Sequence, residues 1–434
     1  MQQRFLSFIA MILVSSCSLP GTPEPDEIRS EIRHRFSIPK QAECRAEDGL
    51  TESEAVALAL LENPDFQLAL SRLKISEADL IQAGQVRNPL FTTFLPVNTK
   101  AFEFTLLVPL DALLLRGARV ENAALDARRV AALLTQGGLD LVRDVRLAFV
   151  RLKLARRNEE VLRERMKLAR ELADFDSRQL ASGQLSEAAA VRSRVDSLDF
   201  ARRRAEARTE IRLAENEVWR LLGRAGRPGP MILCDWSRPE MIELDREQAL
   251  AFATRARPDL QAARLDLQLA LDRSDLSWWE WLWLQLLFDY DKAKGESEKI
   301  GPGFQVELPI FHQNDAGKAR AQAELVRVAS ELARQKNQLA ADIERQQAIC
   351  RQSYRSWRLW AVSALPEIET LARQAEIAFQ AGETTFRPVL VSRDQLQQAR
   401  AQEAGLRAAL EAALAEFERI LGGRAHRPLK GASQ

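Results

Sequence analysis

The chain is poor in the residues on which catalysis and metal binding draw. Its 434 residues hold three histidines, four cysteines and two tyrosines. His34, His312 and His426 lie far apart and share no ligand spacing, which argues against a histidine-based metal or catalytic centre. The cysteine spacings match no zinc site. An excess of one charge is also missing: 62 basic residues face 61 acidic ones, for a formal net charge of +1. A nucleic-acid binder would carry a clear basic surplus. No glycine-rich phosphate loop precedes a helix with the required lysine, so no nucleotide site is visible. Glycine and proline are sparse and apolar content is ordinary, which excludes a disordered chain.

What is present is alanine, leucine, arginine, glutamate and glutamine in long stretches, all strong helix formers. The first 16 residues form a different class. Arg4 supplies a positive start, and residues 5–14 are an apolar run too short to span a bilayer as a mature helix. The run ends in Leu13-Val14-Ser15-Ser16-Cys17, which resembles the bacterial lipobox. Residues 1–16 therefore read as a lipoprotein signal peptide, with Cys17 as the lipidated, palmitate-bearing N-terminus, and Ser18 after it favours the outer membrane; the alternative is an ordinary cleaved signal peptide with an incidental cysteine. Of the other cysteines, Cys44 and Cys234 each precede one of two equivalent repeats. Pairing between them and three free thiols, with Cys350, both remain open.

The repeats organise the rest. After a lead segment, 17–49, a first half spans 50–243 and a second 244–423, leaving a tail at 424–434. Leu50-Thr51-Glu52-Ser53-Glu54-Ala55 opens one half and Leu244-Asp245-Arg246-Glu247-Gln248-Ala249 the other. Asn63-Pro64 and Arg257-Pro258 follow at the same offset. Each block predicts a capped short helix, a proline break and a new helix. Strand-like stretches then lead to Val108-Pro109-Leu110 and to Leu308-Pro309-Ile310. Each half continues as a very long helical pattern broken at Gly183 or Gly382, and a further helix ends at Gly223 or Gly422. Residues 116–181 and 315–380 each predict about 65 helical residues, roughly 100 Å at 1.5 Å per residue. Apolar residues recur there at coiled-coil spacing, for example at Leu141, Val145, Ala148 and Leu152. With the broken return helices, the pattern predicts a rod of four antiparallel helical strands.

The strand-like stretches alternate. Phe102, Phe104, Leu106 and Val108 interleave with Glu103, Thr105 and Leu107, and Phe304, Val306 and Leu308 with Gln305 and Glu307. One apolar and one polar face is what the wall of a membrane barrel needs. Residues 90–97 and 282–290 supply the partners of two β-hairpins. Four strands cannot close a barrel, and open edges are not viable in lipid, so the expectation requires an oligomer. Glu103, Gln305 and Glu307 are the expected lumen residues, either setting a mild ion preference or simply wetting the interior. Trp278, Trp279, Trp281 and Trp283 fit a membrane-interface belt, favoured by the adjoining strand over a hydrophobic patch packing between helices.

On these residues the chain resembles the TolC family of outer-membrane efflux proteins. The repeated openings, the run Leu308-Pro309-Ile310-Phe311-His312-Gln313-Asn314, and Leu365-Pro366 followed by Phe379-Gln380-Ala381-Gly382 and Val389-Leu390 carry the resemblance over nearly the whole chain. It implies a homotrimer with a twelve-stranded β-barrel and a periplasmic α-barrel. It also implies partners: a periplasmic adaptor, or membrane fusion protein, an inner-membrane pump and outer-membrane lipid. The work would be passive conduction, without enzymatic activity or cofactor. The adaptor-docking tip would be built from Gly183, Leu185 and Ser186 and from Gly382, Thr385 and Phe386. One departure stands out. The positions matching the family's tip aspartates are near Ala189, Pro388 and Val391, so cation-sensitive gating is in doubt. A periplasmic coiled-coil adaptor and a structural lipoprotein without a pore are the alternatives; the duplication and the two apolar hairpins count against the first.

Overall fold

The computed structural model describes residues 20–38, 50–94, 100–226, 231, 233, 244–279, 283–293, 297, 299–308, 310–311 and 313–424. Cys17, Cys44, Cys234 and Trp281 lie outside them. In chain order the elements are α1 (Pro25–Phe36), α2 (Glu52–Glu62), α3 (Pro64–Gly84), β1 (Leu90–Phe94), β2 (Lys100–Pro109), α4 (Leu110–Leu114), α5 (Arg116–Ala181) and α6 (Glu187–Leu221). There follow α7 (Arg246–Ala256), α8 (Pro258–Ser277), β3 (Leu284–Ala293), β4 (Lys299–Val306), α9 (Asp315–Leu359), a π-helical turn (Trp360–Ala364), α10 (Leu365–Gln380) and α11 (Phe386–Leu421). The fold is mainly helical with one small sheet. No helix among the described residues is long and apolar enough to cross a membrane, a statement that does not bear on a β-barrel.

Two compact units are present. The first holds the sheet and comprises the described residues up to Ile28 with Ala69–Leu134 and Pro258–Lys336. Its four strands are antiparallel in the order β1-β2-β3-β4. The second comprises Arg29–Leu68, Thr135–Arg257 and the described residues from Asn337 on.

Local chemistry accounts for the element ends in the second unit. Thr51 caps α2 in a reciprocal capping box with Glu54, and Asp245 caps α7 in the same way with Gln248. Each short helix stops before a proline because the preceding residue is pushed to extended backbone, seen at Asn63 and Arg257. Four helices end on a glycine with positive φ: Gly183, Gly223, Gly382 and Gly422. Each shows the paired bonds of a Schellman motif, such as Gln184 N to Gln179 O at 2.9 Å with Gly183 N to Leu180 O at 3.0 Å. The core gathers Val56 and Leu60 of α2, Leu139, Phe149 and Leu152 of α5, and Leu410, Phe417 and Leu421 of α11.

Three features differ from the sequence expectation. The lead segment contains α1, which buries Ile32 and Phe36 and places Arg35 where it donates to the carbonyl oxygens of Ala256 and Gly422. The strand ends differ: β3 runs on to Ala293 and Leu308 lies past β4, while residues 95–97 of the first expected strand lie outside the described residues. The second long helical stretch is not a continuous α-helix. Pro366 has no N–H and its ring crowds the carbonyl four residues back, and the turn just before it widens, with Leu365 N–H bonded to Trp360 O. The wide turn inserts one residue of phase. Leu339, Ile343, Cys350 and Trp357 are buried at spacings of four and seven, but the stripe resumes at Ala372, while Leu371 is half exposed. Trp357 Nε1 bonded to Glu403 and Trp360 Nε1 bonded to the Ala399 carbonyl, both at 2.9 Å, pin this region to α11.

Candidate pore face and helix tips

In the first unit the register divides the sheet into two faces, because directly opposed residues share a face. One row runs Thr93, Phe104, Tyr290, Ile300; the next apolar row is Phe91, Leu106, Phe288, Pro302. Phe104 stacks on Tyr290 with centroids 4.9 Å apart, and Phe91 leans on Phe104 at 5.6 Å. The other face carries Glu103 opposite Asp291, Thr105 opposite Asp289, and Gln285 opposite Gln305, crossed by a Leu107–Leu287 pair. Thr105 Oγ1 donates to Asp289 Oδ1 at 2.9 Å. Glu103 and Gln305 thus lie on the same polar face. Glu307 follows β4, its N–H reaching the Trp283 carbonyl at 3.2 Å, so these two expected site residues meet through the backbone. Asp291 was missed because the third strand was expected to stop at Tyr290, and Asp289 because the faces of that strand were not read; the Asp-Tyr-Asp alternation is the signal that finds both. Trp278 and Trp279 follow α8, both more than half exposed, and Lys318 Nζ sits 4.4 Å over the Trp278 ring.

An open cleft of about 1120 Å³ lies in the same unit among α3, α5, α8 and α9. Arg119, Arg273 and Arg320 line it together with Asp79, Asp126 and Glu324, a mixed and wetted surface. Among the described residues no group of three or more His, Cys, Asp or Glu side chains is placed to hold a metal.

In the second unit the two expected tips are short glycine turns. Gly183, Ser186, Gly382 and Thr385 are exposed, while Leu185 and Phe386 are half-buried. Ser186 caps α6 through a 3.4 Å contact from Ala189 N; Thr385 precedes α11 without a side-chain cap bond. Phe386 packs against Phe379 at 5.3 Å and Phe175 at 6.0 Å, so its ring serves the turn as well as its surface. Behind the turns lies an acid that sequence reasoning passed over. Asp176 of α5 is fully buried, accepts a hydrogen bond from Ser193 of α6, and lies 3.6 Å from the Arg387 guanidinium of α11. One carboxylate therefore ties three tip helices together. Nearby, Arg165 of α5 makes a bidentate pair with Asp394 of α11, at 2.7 and 3.0 Å. Cys350 is buried and unpaired by disulfide, with its thiol pushed up to about 11 by burial.

A small sheet with one apolar and one polar face, joined to long helices with paired glycine turns, can be compared with known architectures. No family model matches the chain. CusC, in a crystal structure concerned with transmembrane channel formation, superposes with a TM-score of 0.65 at 17% identity, covering 94% of this chain and 100% of that one. The Campylobacter jejuni CmeC outer membrane channel superposes with a TM-score of 0.67 at 13% identity, covering 94% and 90%. The chain has the TolC-like fold. In sequence the chain is 25% identical over 389 residues to the cobalt-zinc-cadmium resistance protein CzcC of Cupriavidus metallidurans, 86% of this chain and 90% of that protein. By their descriptions, CmeC is an outer membrane channel and the CusC structure concerns transmembrane channel formation.

Proposed function

We propose that the chain is the outer-membrane duct of a tripartite efflux or type I secretion system, conducting cargo passively from an inner-membrane pump and its periplasmic adaptor to the exterior. The observation that carries this reading is the two-faced sheet with β1 and β4 unpaired at its edges. Backbone groups left open at a sheet edge cost several kcal/mol each in lipid, so the sheet demands closure. Three copies make a barrel of twelve strands, an even number as such barrels need. Its apolar face, with Phe91, Phe104 and Phe288, then meets lipid, and Glu103, Gln305 and Glu307 line the lumen. The repeated capping boxes, proline breaks and glycine turns favour an origin by internal duplication. Trp278, Trp279, Trp281 and Trp283 form the interface belt, and Cys17 the lipid anchor.

Purified protein added to a planar bilayer should give discrete conductance steps, and light scattering in detergent should give three copies. Absence of conductance from a confirmed trimer overturns the duct in favour of a structural lipoprotein. Cys17→Ser should abolish palmitate labelling; unchanged labelling removes the anchor. The Cupriavidus relative is named for cobalt, zinc and cadmium resistance, which makes these cations the cargo to test first in export assays.

The adaptor docks, in this reading, on the tips at Gly183, Leu185 and Ser186 and at Gly382, Thr385 and Phe386. Leu185→Arg combined with Thr385→Arg should leave assembly and insertion intact. Adaptor affinity should fall at least about tenfold, equivalent to ~1.4 kcal/mol, with export impaired in parallel. Normal export and crosslinking from the double variant would remove the tips as the docking site.

A further inference from the structure

The cleft among α3, α5, α8 and α9 lies wholly in the first unit, and its charges do not cancel in pairs. Four arginines line it, Arg87, Arg119, Arg273 and Arg320, against three acids, Asp79, Asp126 and Glu324. Two of the acids are held by arginines that do not line the cleft. Arg129 pairs with Asp126 at 2.9 Å, and Arg327 donates to Glu324 at 2.7 and 2.8 Å. The Arg327 bonds keep the Glu324 carboxylate below its usual range, with a smaller pull from Arg273. Arg87 is engaged by buried Asp111. Arg119 donates to the Ala112 carbonyl oxygen at 2.6 Å, a neutral acceptor that leaves its charge unmatched. Arg273 and Arg320 form no ion pair among the described residues. Three unmatched guanidinium groups therefore share the cleft with one unmatched carboxylate, that of Asp79.

The two halves of the chain supply a comparison. Asp126 with Arg129 on α5 and Glu324 with Arg327 on α9 are the same pair at the same spacing. Counted back from these pairs, Arg320 stands where the first half has Asn122. Counted from the prolines that open α3 and α8, Arg273 stands where it has Asp79, each fifteen residues on. The pair recurs in both halves, while these two cleft positions carry an amide or acid in one and arginine in the other. Helices α3 and α5 thus form their side of the wall without arginine there.

We infer that the cleft is a binding site for a small soluble multivalent oxyanion, a di- or tricarboxylate or phosphate, held by Arg119, Arg273 and Arg320. Guanidinium groups grip carboxylate and phosphate oxygens through paired N–H donors. These three come from three helices, so a ligand must carry several anionic oxygens to meet them all. Among the lining residues only Val86 and Leu276 are apolar and larger than alanine, which leaves no bed for an acyl chain and favours a soluble ion over a lipid headgroup. The site is complete within one chain and does not depend on the duct reading.

Citrate and inorganic phosphate are the probes, each titrated calorimetrically into the full-length protein in neutral detergent at ~0.1 M salt, where the screening length is about 10 Å. At least one should bind saturably. Arg273→Gln and Arg320→Gln should each weaken it roughly tenfold, the scale of one lost hydrogen bond to a charged group. Asp79→Asn, which removes the facing acid, should tighten it. Arg334→Gln, on the same helix as Arg320 but about 20 Å along it, should leave affinity unchanged. Helical circular dichroism should be the same in all four variants. No saturable binding of either anion, or an equal loss in Arg334→Gln, overturns the site. Copurifying phospholipid seen by native mass spectrometry and lost in the Arg273 and Arg320 variants, with neither soluble anion bound, overturns it in favour of a lipid headgroup. Absence of conductance with anion binding intact removes the duct and leaves the site standing.

Discussion

Gly223→Ala is expected to lower the stability of the detergent-solubilised protein by about 4 kcal/mol, combining positive-φ strain with forced overpacking of a closed space. Gly223 holds φ at +72°, and a Cβ there would stand 2.2 Å from the Glu62 carbonyl oxygen and 2.8 Å from its carbon, both backbone atoms. The α6 terminus is pressed onto the α2–α3 corner, where buried Asn63 donates to the Leu221 carbonyl at 2.9 Å. Neither side can yield without losing that bond. At the equivalent Gly422 the nearest backbone atom, Ala256 C, is 3.0 Å from the added carbon, so the same change should cost about half as much. At Gly183 and Gly382 nothing lies within 4 Å, and only the dihedral penalty of about 1 kcal/mol remains. Thermal melts of the four alanine variants should rank in that order. Equal losses at Gly223 and Gly183 would show that the corner is not closely packed.

Arg146→Met should be the most damaging change to a charged side chain, at about 3–5 kcal/mol, the cost of leaving a buried ion without its partner. Arg146, on α5, is 11% exposed and pairs with Glu418 of α11, itself 8% exposed, and with Glu52 of α2 at 2.9 Å. Its guanidinium also lies 5.0 Å over the Phe36 ring of α1. One side chain thus joins four helices. After the substitution Glu418 keeps, among the described residues, the ion pair with the half-exposed Arg424, at 3.3 Å. Adding Glu418→Gln removes the stranded charge, so the double variant should regain most of the loss. Denaturant unfolding of the two single variants and the double checks this, and a single Arg146→Met cost below about 1 kcal/mol, the scale of a surface pair, would refute the buried-pair account.

Much of this architecture was legible because its punctuation is local. Thr51 with Glu54, Asp245 with Gln248, the Asn63-Pro64 and Arg257-Pro258 breaks and the four terminal glycines each carry their own backbone chemistry, so the helix order followed from neighbours in sequence. The sheet faces were readable from alternation alone, since Glu103, Thr105 and Phe104 differ in polarity at a period of two. The exact strand ends were not, because they depend on where a partner strand stops. Asp176 was invisible for a different reason. On long charged helices an acid is ordinarily solvated, and only the tertiary approach of Ser193 and Arg387 singles this one out. Helix α1 was passed over in the lead segment 17–49, although Ile28, Ile32 and Phe36 recur every fourth residue.

The widened turn at Trp360–Ala364 makes the chain's tolerance of length changes depend on pairs of edits. Replacing Pro366 by a helix-forming residue alone would leave a surplus residue still bulging from the helix. Deleting one residue of the turn alone would bring Ala372 back into the seven-residue frame of Trp357, yet would drive the proline ring into the carbonyl four residues before it, a kink costing ~3 kcal/mol or more. Only the two edits together yield a straight helix that still meets α11 through the same side chains. Proline and insertion are thus epistatic partners: each is tolerable in the presence of the other and costly without it.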